Sequence, residues 1–398
     1  MHNRVINYTV KEIFISAKTE QMRISQKLIE ILRTELNGND CTDDDLSADE
    51  AREVYSLAMK HNVQSMAADW LLKHGVSDET VFEGMATSLT ISQWTDQLIS
   101  KAASALNDAG IEFMFLKGAV IRNDYPEPWM RMSGDIDILV HEQDKVRARE
   151  VLCRDLALES SQSAVEDTLV SKGGVMIDLA SMLIDKDHKW EEQSSLSDIW
   201  NHALPGKLQY ERVLCDDMRY THAVMHMARH FDNGGCGINH VMDLWVLNHR
   251  ISVTDEMRAA RNALLNKKGI KKIEEAFVAV SEKWFSGADV PTMDGLEDMI
   301  INGSAHGNPE NTLLTKRGKY GKLGYKLSRL FVPYNYLKQL FPSLDGHRWM
   351  TPFYEVYRWI YHMKNGRTSV ILDEFKKADA ISDALAEKTR KNMKELFG

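Results

Sequence analysis

The sequence predicts an α+β fold: a small mixed-sheet core flanked by helical N-terminal and C-terminal regions. Three observations carry this prediction. Apolar residues recur at helical spacing through residues 48–109 and again from Leu214 onward. Between these stretches, short aliphatic runs bounded by glycine or polar residues alternate with short helical segments, as strands interleaved with helices do. No internal repeat or low-complexity block suggests another architecture.

The chain has 398 residues, and at about 150 residues per domain this suggests two or three domains. The expected division is a helical region over 1–109, an α/β core over 110–200, a helical domain over 201–300, and a basic loop with an aromatic-rich helical tail over 301–398. Hydrophobic residues at 43% and charged residues at 27% are ordinary for a globular protein. Apolar runs such as FMFL are too short for a membrane span. Lys11, Glu12, Lys18 and Glu20 interrupt the N-terminal stretch, which argues against a secretory signal. Cys41, Cys153, Cys215 and Cys236 are scattered without a C-x-x-C pair, so neither a disulfide framework nor a cysteine zinc site is expected, and the expected location is cytoplasmic. The net charge of −9 is uneven: Asn311–Gly398 holds 17 Lys+Arg against 8 Asp+Glu, and the remainder 32 against 50. An acidic body with a basic tail is not a general nucleic-acid coat, but it permits one local anion site.

The elements follow in order. The first 40 residues are polar and weakly patterned. Ser47 and Glu50 stand at the capping-box offset ahead of a helical stretch. A long helix fits Asp78 to about Asn107, with Phe82, Met85, Leu89, Trp94, Leu98, Ala102 and Leu106 on its apolar face and Gly110 closing it. IEFMFL reads as a buried strand, GAVIRNDY as a short helix stopped by Pro126 and Pro128, DIDILV as a second strand, and Glu142 to about Leu156 as a helix. LALESSQ and GVMIDLA are further strand candidates. Helix returns over Leu214–Arg250, broken by FDNGGCG, and continues to about Phe285.

Asp135 and Asp137 stand two apart in DIDILV. On a strand both carboxylates point to one face, roughly 6.5–7 Å apart at Cα, with Ile136, Ile138 and Val140 on the other. Such a pair converges on a cation or repels itself toward protonation. Asp178 in GVMIDLA joins them if the two strands are neighbours, completing a hard-oxygen site suited to Mg²⁺. Asp43/Asp45 and Asp185/Asp187 repeat the D-x-D spacing in polar contexts that read as solvated loops. D-x-D alone is weak evidence, and a solvated strand end is the alternative reading of Asp135 and Asp137.

The stretch FLKGAVIRNDYPEPWMRMSGDIDILV resembles nucleotidyltransferases of the DNA polymerase β superfamily. Within that superfamily it is similar to bacterial nucleotidyltransferase family proteins marked by L-K-G-A, then Y-P, then R-x-x-G-D-I-D-x-L-V. These motifs are Leu116–Ala119, Tyr125-Pro126 and Arg131–Val140 in this chain. VYSLAMKHNV, Trp200, HAVMHMARHF and the tail through VYRWI extend the resemblance over roughly residues 45–365. A similar R-x-S-x-D-I-D string occurs in toxin–antitoxin nucleotidyltransferases. The resemblance implies a mixed-sheet nucleotidyltransferase core. It implies that Asp135, Asp137 and Asp178 hold the Mg²⁺ or Mn²⁺ ions that bridge nucleotide phosphates, with Asp178 also positioning the attacking hydroxyl. Gly118 matches the glycine whose neighbouring N–H groups cradle phosphate, and Lys117, Arg131, Ser133 and Gly134 complete the implied nucleotide-binding set. For Lys117 and Arg131 the alternative is a surface cation beside an acid. Two departures stand out. Ala119 replaces the serine that many superfamily members carry, and Leu179-Ala180 follow Asp178 where the family often has Glu then His.

His222, His226 and His230 share one helix face. Zinc binding with Cys236 or His240, a hydrogen-bonding role and a substrate-side role are all open. His226, His230 and Asp243 match family positions, which implies that Asp243 faces the cleft; an exposed helix carboxylate is the alternative. The basic run Lys316–Arg329, with Tyr320 and Tyr325, reads as a polynucleotide or triphosphate grip or as a solvated loop. The tail aromatics are expected to pack against the helical domain rather than lie on a membrane.

The expected activity is transfer of an NMP from a nucleoside triphosphate to a hydroxyl acceptor (a small molecule, a saccharide or a protein) with release of pyrophosphate. An RNA- or tRNA-directed enzyme of toxin type is the first alternative; RNA is not the favoured partner. A catalytically silent nucleotide-binding or scaffold protein is the second, against which the presence of all three acids argues.

Overall fold

Phe113–Leu116 (β1) and Asp135–Val140 (β2) form the antiparallel centre of a seven-stranded mixed sheet. In the computed structural model, which describes residues 10–39, 46–162, 167–181, 183, 196–305, 307–364 and 367–397, the remaining strands are Glu159–Gln162 (β3), Asp167–Val170 (β4), Met176–Ala180 (β5), Ala203–Pro205 (β6) and Glu211–Leu214 (β7). The order is β3-β4-β5-β2-β1-β7-β6. β5 runs parallel to β2, β7 runs parallel to β1, and the other pairs are antiparallel. The sheet thus extends to Leu214, beyond the span expected of the core. Sequence periodicity does not reveal β4, β6 and β7, because each has only three or four residues, too few to show a period.

Alternation divides the two faces of the sheet. Phe113, Phe115, Ile136, Ile138, Val140, Ile177 and Leu179 turn into one core with Leu98, Ala102 and Leu106 of helix α4 (Glu79–Asp108) and Ala148, Val151 and Leu152 of helix α6 (Lys145–Leu156). Asp135, Asp137 and Asp178 lie at the intervening positions, on the opposite face. α4 starts on Asp78, whose carboxylate accepts from Thr80 and Val81 N–H, and Gly110 (φ +66) follows its end. Its buried stripe differs from the expected one. Val81, Ser88, Ser92, Thr95, Leu98, Ala102 and Leu106 face inward, whereas Phe82, Leu89 and Trp94 are exposed. Ser88 and Thr95 are buried at no hydrogen-bond loss, because their hydroxyls donate to the carbonyls of Gly84 and Ile91.

The weakly patterned N-terminus forms helix α1 (Val10–Asn37), with Leu28, Ile31, Leu32 and Leu36 fully buried. Ala48–Lys60 (α2) begins with the capping box of Ser47 and Glu50, and Gln64–Lys73 (α3) follows. Gly118–Ile121 (α5) is a single turn. After the sheet come Asp216–Asp232 (α7), Ile238–His249 (α8), Asp255–Lys267 (α9), Lys271–Ser281 (α10) and Leu296–Ile301 (α11).

The described residues separate into two compact units: one runs to Met227 and resumes over Gly237–Ala305, and the other comprises Ala228–Cys236 with the residues after 306. The second unit holds Pro309–Leu330 (α12), Tyr334–Leu340 (α13), Thr351–Lys364 (α14), Arg367–Ala380 (α15) and Asp383–Phe397 (α16). The basic run is therefore helical rather than a loop, broken only at Gly321 (φ 70). Its charges are largely spent within the unit. Arg317 pairs with Asp383, Lys319 with Asp232, Lys322 and Lys326 with Asp379, and Arg329 with Glu374. Within the second unit, Trp349, Phe353 and Tyr357 are each more than half exposed. Cys41, Asp43/Asp45 and Asp185/Asp187 lie outside the described residues. No described helix is long and apolar enough to cross a membrane.

Candidate active site

The parallel register of β2 and β5 sets Asp137 directly opposite Asp178. Asp135 sits two residues before Asp137 on the same face, and carboxylate oxygens of all three residues lie within 4.8 Å of one another. Each is held by a neighbour. Ser133 Oγ donates to the Asp135 carbonyl at 2.9 Å and to its carboxylate at 3.3 Å; Thr168 Oγ1 donates to Asp178 Oδ1 at 2.8 Å; Lys117 Nζ is 2.5 Å from Asp137 Oδ1. Burial pushes the Asp137 carboxyl up to about 6; Lys117 opposes that push, and Asp135 and Asp178 add to it. The sequence alone does not single out Thr168. Its strand is four residues long, and only the β4–β5 register reveals its place beside Asp178.

Lys117 reaches Asp137 from the turn between β1 and α5, where its backbone has φ 49 and ψ −129. Positive φ in a non-glycine residue costs energy, and such conformations gather at functional sites. Gly118, next along, has no room for a side chain: a Cβ there would lie 2.5 Å from Ser133 Oγ and 3.3 Å from a terminal nitrogen of Arg131. Gly134 faces open space with an ordinary φ, so nothing in its surroundings requires glycine.

Arg131, expected at phosphate oxygens, is buried and spent on Asp243. Nε and Nη2 each donate to one carboxylate oxygen at 2.9 Å, and Nη1 donates to the Met132 carbonyl at 2.5 Å. Tyr125 donates its hydroxyl to the same carboxylate at 2.7 Å. Asp243 is therefore buried and tied rather than an exposed helix carboxylate, and it also lines the cavity beside Lys117. It binds the Y-P and R motif segments to α8, a role that sequence spacing alone does not indicate.

Beside Lys117 lies a cavity of ≈ 410 Å³, lined by Phe115, Ile121, Asp243, His222, His226 and His240 among others. Burial, reinforced by the Lys117 charge, pushes His222 down to about 3, so it is a neutral imidazole. The rings of His226 and His240 lie 5.4 Å apart. His230 belongs to the other unit.

Three carboxylates are hard oxygen donors, a set that suits Mg²⁺ or Mn²⁺ rather than a soft metal. One ammonium against three acids leaves a deficit of positive charge that a divalent cation matches. The residues present fit such an ion.

Among solved structures, the solution structure of the antibiotic-resistance factor ANT(2'')-Ia is similar at a TM-score of 0.32 and 11% identity, covering 44% of this chain and 94% of that one. No curated protein matches the chain. Residues 47–286, more than half of the sequence and including every residue of the carboxylate cluster, match the family described as "Uncharacterised nucleotidyltransferase". The chain belongs to that nucleotidyltransferase family.

Proposed function

We propose that the protein transfers a nucleoside monophosphate from a nucleoside triphosphate to a hydroxyl acceptor and releases pyrophosphate, with Asp135, Asp137 and Asp178 holding a divalent cation. The observation that supports this reading is the convergence of three carboxylates from two adjacent parallel strands. Mg²⁺ or Mn²⁺ bound there would neutralise charge on the attacking and leaving oxygens. The acceptor oxygen loses its proton to solvent and forms a bond to the α-phosphorus, and the bond from that phosphorus to the bridging oxygen of the leaving pyrophosphate breaks. Asp178 accepts a hydrogen bond from the acceptor hydroxyl and orients it, held in place by Thr168. Lys117 supplies a positive charge at the cluster and a contact for a phosphate oxygen. Gly118, without a side chain, lets Ser133 and Arg131 close against the turn that carries Lys117. Ser133 fixes Asp135. Arg131 acts as a positioning residue from behind Gly118, because Asp243 already occupies its guanidinium.

An RNA acceptor gains no support from the basic run, since five of its six cations are paired with acids of their own unit. The experiment is incubation with Mg²⁺ or Mn²⁺ and each α-labelled NTP, with cell extract or total RNA as acceptor. Label transfer with pyrophosphate release, lost in Asp135→Asn, is the expected result. Label appearing in RNA selects the RNA-directed reading. Nucleotide binding without pyrophosphate release from any mixture selects the silent one.

A further inference from the structure

Helix α14 is folded with its charged side inward. Glu355 and Arg358 are buried and paired at 2.8 Å. Glu355 accepts the Val332 N–H at 2.6 Å, while Arg358 and the Trp359 indole donate to the Leu330 carbonyl at 2.8 and 3.0 Å. These bonds fix the rotation of the helix about its axis. The opposite arc carries Phe353, Val356, Tyr357, Ile360, Tyr361 and Met363, each between 40% and 65% exposed. Trp349, just ahead of the helix, is 71% exposed. Single exposed apolar side chains are ordinary; six on one helix arc mark a contact surface. A helix that met only water would turn this arc inward.

We propose that this face docks on an anionic lipid surface, with α14 lying in the membrane–water interface. Tyrosine and tryptophan, apolar in body and polar at the tip, suit that zone. Exposed basic residues stand near both ends of the arc, Arg348 before the helix and Lys364 at its last position. Five cations of α12 are paired with acids, yet the segment from Asn311 onward still holds 17 Lys+Arg against 8 Asp+Glu, and that positive excess matches a negative lipid headgroup layer. At 14 residues the helix is too short to span a bilayer, which takes about 20; lying flat is the geometry open to it. A second copy meeting the same face would set like charges against each other across a two-fold axis.

The test is co-sedimentation of the full chain with vesicles of phosphatidylcholine alone and of phosphatidylcholine mixed with phosphatidylglycerol. Binding to the mixed vesicles is expected to be about tenfold tighter or more. The triple variant Phe353→Gln, Val356→Gln, Ile360→Gln is expected to lose about tenfold or more of that binding. Its far-UV circular dichroism and unfolding midpoint should hold, because the replaced side chains are exposed and glutamine suits a helix. Arg348→Gln with Lys364→Gln should reduce the preference for the anionic vesicles. Absence of vesicle binding by the unaltered chain, or binding unchanged in the triple variant, overturns the proposal. So does a concentration-dependent dimer in sedimentation velocity that the triple variant dissolves, which assigns the face to a second copy.

Discussion

The Lys117 ammonium lies 2.5 Å from Asp137 Oδ1, joining a strained turn to the most buried member of the carboxylate cluster. Lys117→Met removes the one group that opposes the upward push on Asp137. The Asp137 carboxyl should then titrate above its present value of about 6 in metal-free protein, as carboxyl-carbon NMR would show. An unchanged or lower midpoint would contradict the assigned coupling.

Asp243 neutralises a buried arginine and accepts from a buried tyrosine. Asp243→Asn keeps the shape but leaves the Arg131 charge uncompensated, and should cost about 3–5 kcal/mol of stability in denaturant unfolding. Tyr125→Phe removes one hydrogen bond and should cost about 1 kcal/mol. Arg131→Lys should fall nearer the Asp243→Asn result than the Tyr125→Phe result, since an ammonium cannot make the bidentate pair.

At Gly118 the obstacle to any side chain is Ser133 Oγ. Gly118→Ala should destabilise by about 1–3 kcal/mol through overpacking. Adding Ser133→Ala should recover part of the loss, because the hydroxyl is the nearer contact, although Ser133 Cβ stays 3.1 Å from the new methyl. Purely additive losses in the double variant would show that the two positions do not press on each other.

His61 is fully buried, with Nδ1 accepting the Ile238 N–H at 3.2 Å and Nε2 facing the Ile301 carbonyl at 3.1 Å. Burial lowers its pKa from 6.5 to about 4. The unfolded chain thus binds a proton that the folded chain refuses. This contribution to stability is complete above pH 6.5 and is lost as the pH falls toward 4, by about 3 kcal/mol in all. Denaturant midpoints across that range should fall for the natural chain. They should fall less for His61→Gln, which carries no titrating proton.

Part of this architecture is legible in the sequence. The alternation of Asp135–Val140 places two acids on one face and aliphatics on the other, and Ser47/Glu50 and Gly110 mark helix ends by local chemistry. What stays hidden depends on partners distant in the chain. Only the β2–β5 register sets Asp178 opposite Asp137. α4 misleads because its large apolar residues Phe82 and Trp94 face out, while Ser88, Ser92 and Thr95 are buried with their hydroxyls bonded. Asp243 looks like any helix carboxylate until Arg131 and Tyr125 are seen to converge on it. The basic run looks free until the acids of α15 and α16 are placed beside it.

The most direct measurement is Mn²⁺ binding, followed by loss of the free-ion electron paramagnetic resonance signal, in the natural chain and in Asp178→Asn. Asp178 comes from a different strand than the other two acids, and this measurement needs no knowledge of the acceptor. The natural chain should bind, and the variant should bind about tenfold more weakly or worse. Equal affinity in the two proteins would mean that the three carboxylates do not act as one site.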